Sequence, residues 1–156
     1  MKEEEAPREM KIGLWGSYGH GLISDDILYK ALKDEIESQD SRIECYIASQ
    51  RTYKPDFVII GGGTILGTPL RDFHPTCKWG VFGAGFRDRN HLEKLDKAEF
   101  VRVRGRHTAN MLFEQGIRSE VVGDPICLKV YTANKVWIVM FPRELQKEWD
   151  IYHETK

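Results

Sequence analysis

Cysteines are few in this sequence, and their spacing excludes the usual cysteine-based sites. The three cysteines, Cys45, Cys77 and Cys127, are an odd number, lie far apart and have apolar surroundings, which favours reduced core thiols over a disulfide framework. They form no CxxC pair, and the histidines form no HxxxH pair. We therefore expect no metal site, since one would need residues gathered from distant loops.

The sequence also has neither a basic excess nor a long apolar run, and we expect no leader. The net charge is −1 and the pI about 6.5, which argues against a nucleic-acid partner. No apolar run approaches the roughly 18 residues of a membrane span, and the acidic tail 1–9 lacks the apolar segment of a signal peptide. We expect a cytoplasmic protein without a membrane span. Scarce Asn and Gln beside abundant Glu, Lys and Arg favour a thermophilic source.

The residues that are present follow an α/β pattern. The 156 residues, 41% of them hydrophobic, suit one globular domain. Apolar runs predict strands at 10–15, 43–47, 56–60, 78–85, 100–104, 119–123 and 135–141. Helical spacing predicts helices at 24–38, 91–97, 108–115 and 142–152, the first with Ser24 as N-cap and the third followed by Gly116 at C′.

This alternation predicts the fold class and the domain organisation. We expect one Rossmann-like, doubly wound, mostly parallel sheet over residues 10–128, with helices on both faces. Residues 129–156 are expected to pack back on the same domain as a final strand and helix. The weak point is the connection at 49–55, which is shorter than the dozen residues that a parallel crossover usually takes.

The segment 56–64 is the strongest sign of a ligand site. Its apolar residues 57–60 predict a strand buried on both faces, and the three glycines Gly61–Gly63 are expected to end that strand at once. Ligands in open α/β sheets bind at the carboxyl ends of the strands. The alternative is a tight turn that holds no ligand.

A dinucleotide site is a poor match. Gly19 and Gly21 have the spacing of the first two glycines in a dinucleotide-binding GxGxxG motif, but Ser24 replaces the third glycine of that motif. Two aspartates follow at the helix start, where a pyrophosphate needs a positive field. No Walker lysine follows either. We expect no cofactor, and an NADP-dependent reductase that uses Arg51 ranks last among the possible functions.

Four motifs, taken in order, are similar to those of the polysaccharide pyruvyl transferase family, which adds pyruvate from phosphoenolpyruvate to sugars. They are Gly16-Ser17-Tyr18-Gly19 with Leu22 to Asp26; Asp56 to Gly63; Gly83-Ala84-Gly85; and Val103-Arg104-Gly105 with Thr108, Leu112, Gly116 and Asp124-Pro125. The chain departs from the family pattern where Leu22 and Ser24 replace Asn and Gly, and where Gly105 replaces the Asp after the arginine.

The resemblance covers about residues 10–128 and implies one half of a GT-B-like fold. The family's C-terminal half, which would close the cleft, is expected to come from a partner chain or from a homodimer. Two functions stay open. One is pyruvyl or glycosyl transfer involving a sugar or a phosphorylated small molecule, and the other is a reduced, non-catalytic sugar- or phosphate-binding or assembly protein.

The resemblance and the loop positions together give the candidate residues. The catalytic candidates are Asp25, His20 and Arg104. Their simpler roles would be a helix cap for Asp25, a polar loop residue for His20 and a surface ion pair for Arg104. The candidates for binding substrate or phosphate are Gly16, Ser17, Gly19, Gly61, Gly62, Gly63, Thr64, Gly83, Gly85, Arg87 and Thr108.

Overall fold

A computed structural model of the protein describes residues 9–48, 54–68 and 77–130. Its strands are β1 (Met10–Trp15), β2 (Ile43–Ile47), β3 (Phe57–Gly61), β4 (Thr64–Leu66), β5 (Lys78–Phe86), β6 (Val101–Val103) and β7 (Glu120–Val121). Its helices are α1 (Ile23–Gln39), α2 (Arg106–Phe113), α3 (Cys127–Val130) and the 3₁₀-helix Leu92–Lys97. The predicted elements at 135–141 and 142–152 lie outside the described residues, as does the tail 1–8.

The strands form one open sheet of seven strands in the order β2-β1-β3-β5-β6-β7, with β4 paired to β5. Every pair in it is parallel. The mostly parallel Rossmann-like sheet is therefore confirmed. Both β2 and β3 pair with β1 in parallel, so the connection between β2 and β3 does cross β1 despite its short length.

The strand β3 ends at Gly61, the first glycine of the triplet, as the sequence predicted, but the chain then continues as β4, a short strand that the sequence did not predict. After β3 the strand is interrupted at Gly62 and Gly63, which we name the glycine break. Both glycines have φ near +67° (67° and 66°), and the chain then continues as β4, which pairs with the same neighbour, β5. Gly62 N–H donates to the Phe82 carbonyl at 3.3 Å, and the Gly63 carbonyl accepts Gly85 N–H at 2.7 Å. The left-handed glycines thus act as a bulge that re-aims the chain without losing its pairing.

Helical segments cover both faces of the sheet, as expected. On one face, Leu28 and Leu32 of α1 pack with Ile12, Leu14, Tyr18 and Cys45, joined by Ile126 ahead of α3. On the other face, the 3₁₀-helix and α2 cover the larger cluster through Leu92, Leu95 and Leu112. Val58, Ile60, Val81 and Val103 are fully buried there, as strands covered on both faces require.

The helix ends agree with the sequence in one case and correct it in the other. Gly116 (φ 79°) ends α2 in a Schellman motif, in which Ile117 N–H binds the Leu112 carbonyl and Gly116 N–H binds the Phe113 carbonyl. Ser24 is not the N-cap of α1. That helix begins at Ile23, its N-cap is Leu22, and no side chain caps it.

An ion pair on α1, between Lys33 and Glu37, binds the backbone of the edge strand β2. Glu37 Oε1 accepts Lys33 Nζ at 2.6 Å and Cys45 N–H at 2.8 Å, while Lys33 Nζ donates to the Cys45 carbonyl at 2.7 Å. Both polar backbone groups of Cys45 are therefore satisfied at the open edge of the sheet. This arrangement protects β2 from pairing with a strand of another chain.

Glu37→Ala should lower the free energy of unfolding by about 1–2 kcal/mol, because Lys33 and Cys45 N–H lose their acceptor. Burial alone raises the pKa of Glu37, but hydrogen bonds from Lys33 and Cys45 outweigh it and lower the pKa overall. The stabilisation is therefore present at neutral pH and is lost as the pH falls through that lowered pKa. Urea unfolding at neutral and acidic pH measures both effects.

Lys30→Ala is the matched control, because Lys30 and Asp34 form the exposed i,i+4 pair on the same helix at 3.3 Å. We expect it to cost less than about 0.5 kcal/mol. Equal losses of unfolding free energy in Glu37→Ala and Lys30→Ala would contradict a special role for the Lys33–Glu37 pair at β2.

Candidate functional site

The parallel sheet brings five loops to one side, which we name the carboxyl edge: residues 16–22, 61–64, 86–88, 104–105 and 122–126. These loops follow β1, β3, β5, β6 and β7, and they meet because parallel strands end on the same side of the sheet. All the catalytic and binding candidates except Thr108, Asp25 and the β5 glycines Gly83 and Gly85 belong to these loops. Asp25 begins α1 beside them, and Thr108 lies in the first turn of α2.

Arg104 lies at the centre of the carboxyl edge. Its Nη2 donates to Thr64 Oγ1 at 3.0 Å, and its Nη1 lies 3.5 Å from Asp124 Oδ2. The guanidinium lies over Gly85, where a Cβ would come within 2.6 Å of Nη2. The side chain is still 38% exposed. Arg104 is therefore fixed between three loops while one part of it faces solvent.

Asp124 and Pro125 anchor the last loop of the carboxyl edge. Pro125 is fully buried against Gly83, where a Cβ would lie 2.3 Å from Pro125 Cδ. Asp124 Oδ1 accepts Ile126 N–H at 3.1 Å, and its carbonyl accepts Cys127 N–H at 3.0 Å. This turn fixes a carboxylate beside Arg104.

Tyr18 connects the loop after β1 to the loop after β3. Its ring is buried, and its hydroxyl donates to the Gly61 carbonyl. Burial raises the pKa of Tyr18, and the nearby carboxylates Asp25 and Asp124 raise it further. The phenol therefore stays protonated and remains a donor. Sequence reasoning did not name Tyr18 as a site residue, although an aromatic residue inside a glycine-rich loop was a signal for such a structural role.

Asp25, Asp26 and His20 form the polar group at the start of α1. Asp26 Oδ1 accepts Gly19 N–H at 2.9 Å and so holds the first loop against the helix. Asp25 is half-buried and points toward the glycine break, where a Cβ on Gly63 would lie 3.9 Å from Asp25 Oδ1. Burial raises the pKa of Asp25, Asp26 raises it further, and His20 opposes the shift. His20 itself is exposed.

The structure gives the remaining candidates unequal access to solvent. Ser17, Gly19, Thr64 and Arg87 are exposed, and Gly16 is half-buried with its Cα facing the Tyr18 ring. Thr108 is buried, and its Oγ1 accepts Phe86 N–H at 3.0 Å. The visible role of Thr108 is thus to hold the end of β5. Its role in substrate binding stays a prediction, as do those of the other residues.

Within 9–48, 54–68 and 77–130, no group of three His, Cys, Asp or Glu side chains is placed to hold a metal ion. In the same ranges, no helix has both the length and the apolar character needed to cross a membrane.

An open parallel α/β sheet with helices on both faces defines a Rossmann-like domain. Comparison with protein families is more specific, since the polysaccharide pyruvyl transferase model matches residues 19–149. The chain belongs to that family. The match extends beyond residue 128, where the resemblance found in the sequence ends. No curated protein and no solved structure matches the chain.

Gly83→Ala should be among the most destabilising changes at the carboxyl edge. The new Cβ would meet fully buried Pro125 and would also force an L-residue to φ 70°. We expect a loss of about 2–4 kcal/mol in the free energy of unfolding. Chemical denaturation measures it.

Gly116→Ala separates the two contributions, because Gly116 has φ 79° and nothing within 4 Å of its Cβ position. We expect it to cost about 1 kcal/mol for the backbone alone. A Gly83→Ala loss no larger than this would show that the Pro125 contact contributes nothing.

Proposed function

We propose that the chain takes part in the transfer of pyruvate from phosphoenolpyruvate to a sugar, with Arg104 as the anion-binding group. One observation carries the proposal: the Arg104 guanidinium is held at the carboxyl edge beside the glycine break and is still 38% exposed. A guanidinium pairs well with carboxylate and phosphate. Membership of the pyruvyl transferase family supplies the reaction.

The reaction needs an anion-binding group and proton transfer. Phosphoenolpyruvate gains a proton at its methylene carbon, a sugar hydroxyl adds to the adjacent carbon, and phosphate leaves when a second hydroxyl closes the ketal. We assign the carboxylate or phosphate of the donor to Arg104. Asp25 accepts a hydroxyl proton or orients the sugar, and His20 transfers a proton. Of the loop glycines, half-buried Gly63 lets the ligand approach the backbone closely, whereas Gly61 and Gly62 are buried against Leu32 and Leu28 of α1.

We further propose that a second protein surface closes this site, from a partner chain or a second copy. The support is the exposure of Thr64, His20 and Arg87, together with the exposed apolar pair Leu22 (56%) and Ile23 (77%) that follows His20 in the sequence. Apolar side chains beside polar site residues are common at interfaces. A covered site would also exclude water from the reaction.

Calorimetric titration with phosphoenolpyruvate, and separately with nucleotide sugars, at up to millimolar concentration tests the proposal. The wild-type chain should bind phosphoenolpyruvate. Arg104→Ala should weaken binding at least roughly tenfold, because a charge-assisted contact is lost. Arg102→Ala is the matched control, since Arg102 lies on β6 two residues before Arg104 and pairs with Glu120 at 3.0 Å.

The outcomes separate the two functions. Binding that depends on Arg104 and not on Arg102 supports the anion site, and release of inorganic phosphate when a sugar is added separates the transferase from a non-catalytic binding protein. A correctly folded wild-type chain that binds none of these ligands would contradict it and would favour the non-catalytic alternative. That alternative draws support from the ion pair that already occupies part of Arg104.

A further inference from the structure

The contacts of Arg104 leave it only partly available to a ligand. Thr64 Oγ1 binds Nη2, and Asp124 Oδ2 lies 3.5 Å from Nη1. Among the described residues, no hydrogen bond or ion pair reaches Nε. The distance to Asp124 is longer than that of a well-formed charge-assisted hydrogen bond, roughly 2.7–2.9 Å. The interaction with Asp124 is therefore mainly a Coulombic attraction between two partly exposed groups.

Asp124 is nevertheless held in place independently of Arg104. Its other oxygen accepts Ile126 N–H, and the following proline is locked against Gly83. An anion arriving at Arg104 cannot push this carboxylate far away, so the two negative charges must share one guanidinium. Asp25 adds a further negative charge on this side of the sheet, since Asp25 and Asp124 both act on Tyr18.

We propose that Asp124 is an internal counter-anion that sets how tightly Arg104 binds its ligand. This inference rests on the proposed function, because it takes Arg104 as the anion-binding group. Asp124 weakens the binding of any anion at Arg104. A small free anion such as inorganic phosphate is therefore left with weak binding, whereas phosphoenolpyruvate with a sugar offsets the same penalty by contacts elsewhere at the carboxyl edge. Asp124 is thus a residue that sets the affinity of the site.

Titration of the wild-type chain and of Asp124→Asn with inorganic phosphate and with phosphoenolpyruvate tests this role. Asparagine keeps the acceptor for Ile126 N–H and removes the charge. We expect both ligands to bind roughly three- to tenfold more tightly, with a steeper dependence on salt, because a positive charge is no longer neutralised. Asp88→Asn is the matched control. Asp88 is an exposed carboxylate of the carboxyl edge whose Oδ1 accepts Asn90 N–H at 3.3 Å.

Each result gives a decision. Tighter binding in Asp124→Asn, with a smaller change in Asp88→Asn and loss of binding in the double variant with Arg104→Ala, supports the inference. Unchanged or weaker binding in a folded Asp124→Asn chain overturns it and leaves the proposed function intact. So does equal tightening in Asp88→Asn, which would show an effect of net charge alone. Absence of binding in every chain overturns both the inference and the proposed function.

Discussion

The carboxyl end of β5 is the constraint on which the site depends. Two of its residues have no side chain, and each space is filled by a residue from another loop: Pro125 against Gly83 and the Arg104 guanidinium against Gly85. The same strand pairs with β3, β4 and β6. A side chain at either glycine would therefore displace a loop that carries a candidate residue. The position of Arg104 follows from the packing of a central strand.

The polar interactions at the carboxyl edge also serve to hold loops. Tyr18 binds the Gly61 carbonyl, Asp26 binds Gly19 N–H, and Thr108 binds Phe86 N–H. The Tyr18 and Thr108 contacts join residues 43 and 22 positions apart in the sequence, and the Asp26 contact holds the first loop to the start of α1. A loop fixed in this way loses less conformational entropy when a ligand binds. The arrangement suits a preorganised binding site, which is what the proposed transfer requires.

The sequence predicted the fold well because buried parallel strands leave a plain signal. Short apolar runs bounded by glycine and polar residues indicated all but one of the described strands. β4 was missed because three consecutive glycines normally signal a stop, whereas pairing to β5 carries the chain onward. Ser24 was misassigned as a cap because the helix begins one residue before it. Tertiary contacts decided both cases.

The candidate site was less predictable, since its geometry joins residues far apart in the chain. Arg104 could be named from its place in a family motif, and so could the glycines. Nothing in the sequence shows that Asp124 faces Arg104, or that Gly83 receives Pro125. A carboxylate before a proline signals a turn with or without a partner. The same limit applies to Thr108, whose hydroxyl faces the Phe86 amide.

The central claim is that an anion binds at Arg104 beside the glycine break. The most direct measurement is an NMR titration of the isotope-labelled chain with phosphoenolpyruvate, followed at backbone amides and at arginine Nε–H groups. We predict saturable shifts confined to the carboxyl edge, largest at Arg104 Nε–H and at the amides of Gly63 and Thr64. Shifts that occur elsewhere, or none at millimolar ligand in a folded chain, would contradict the account.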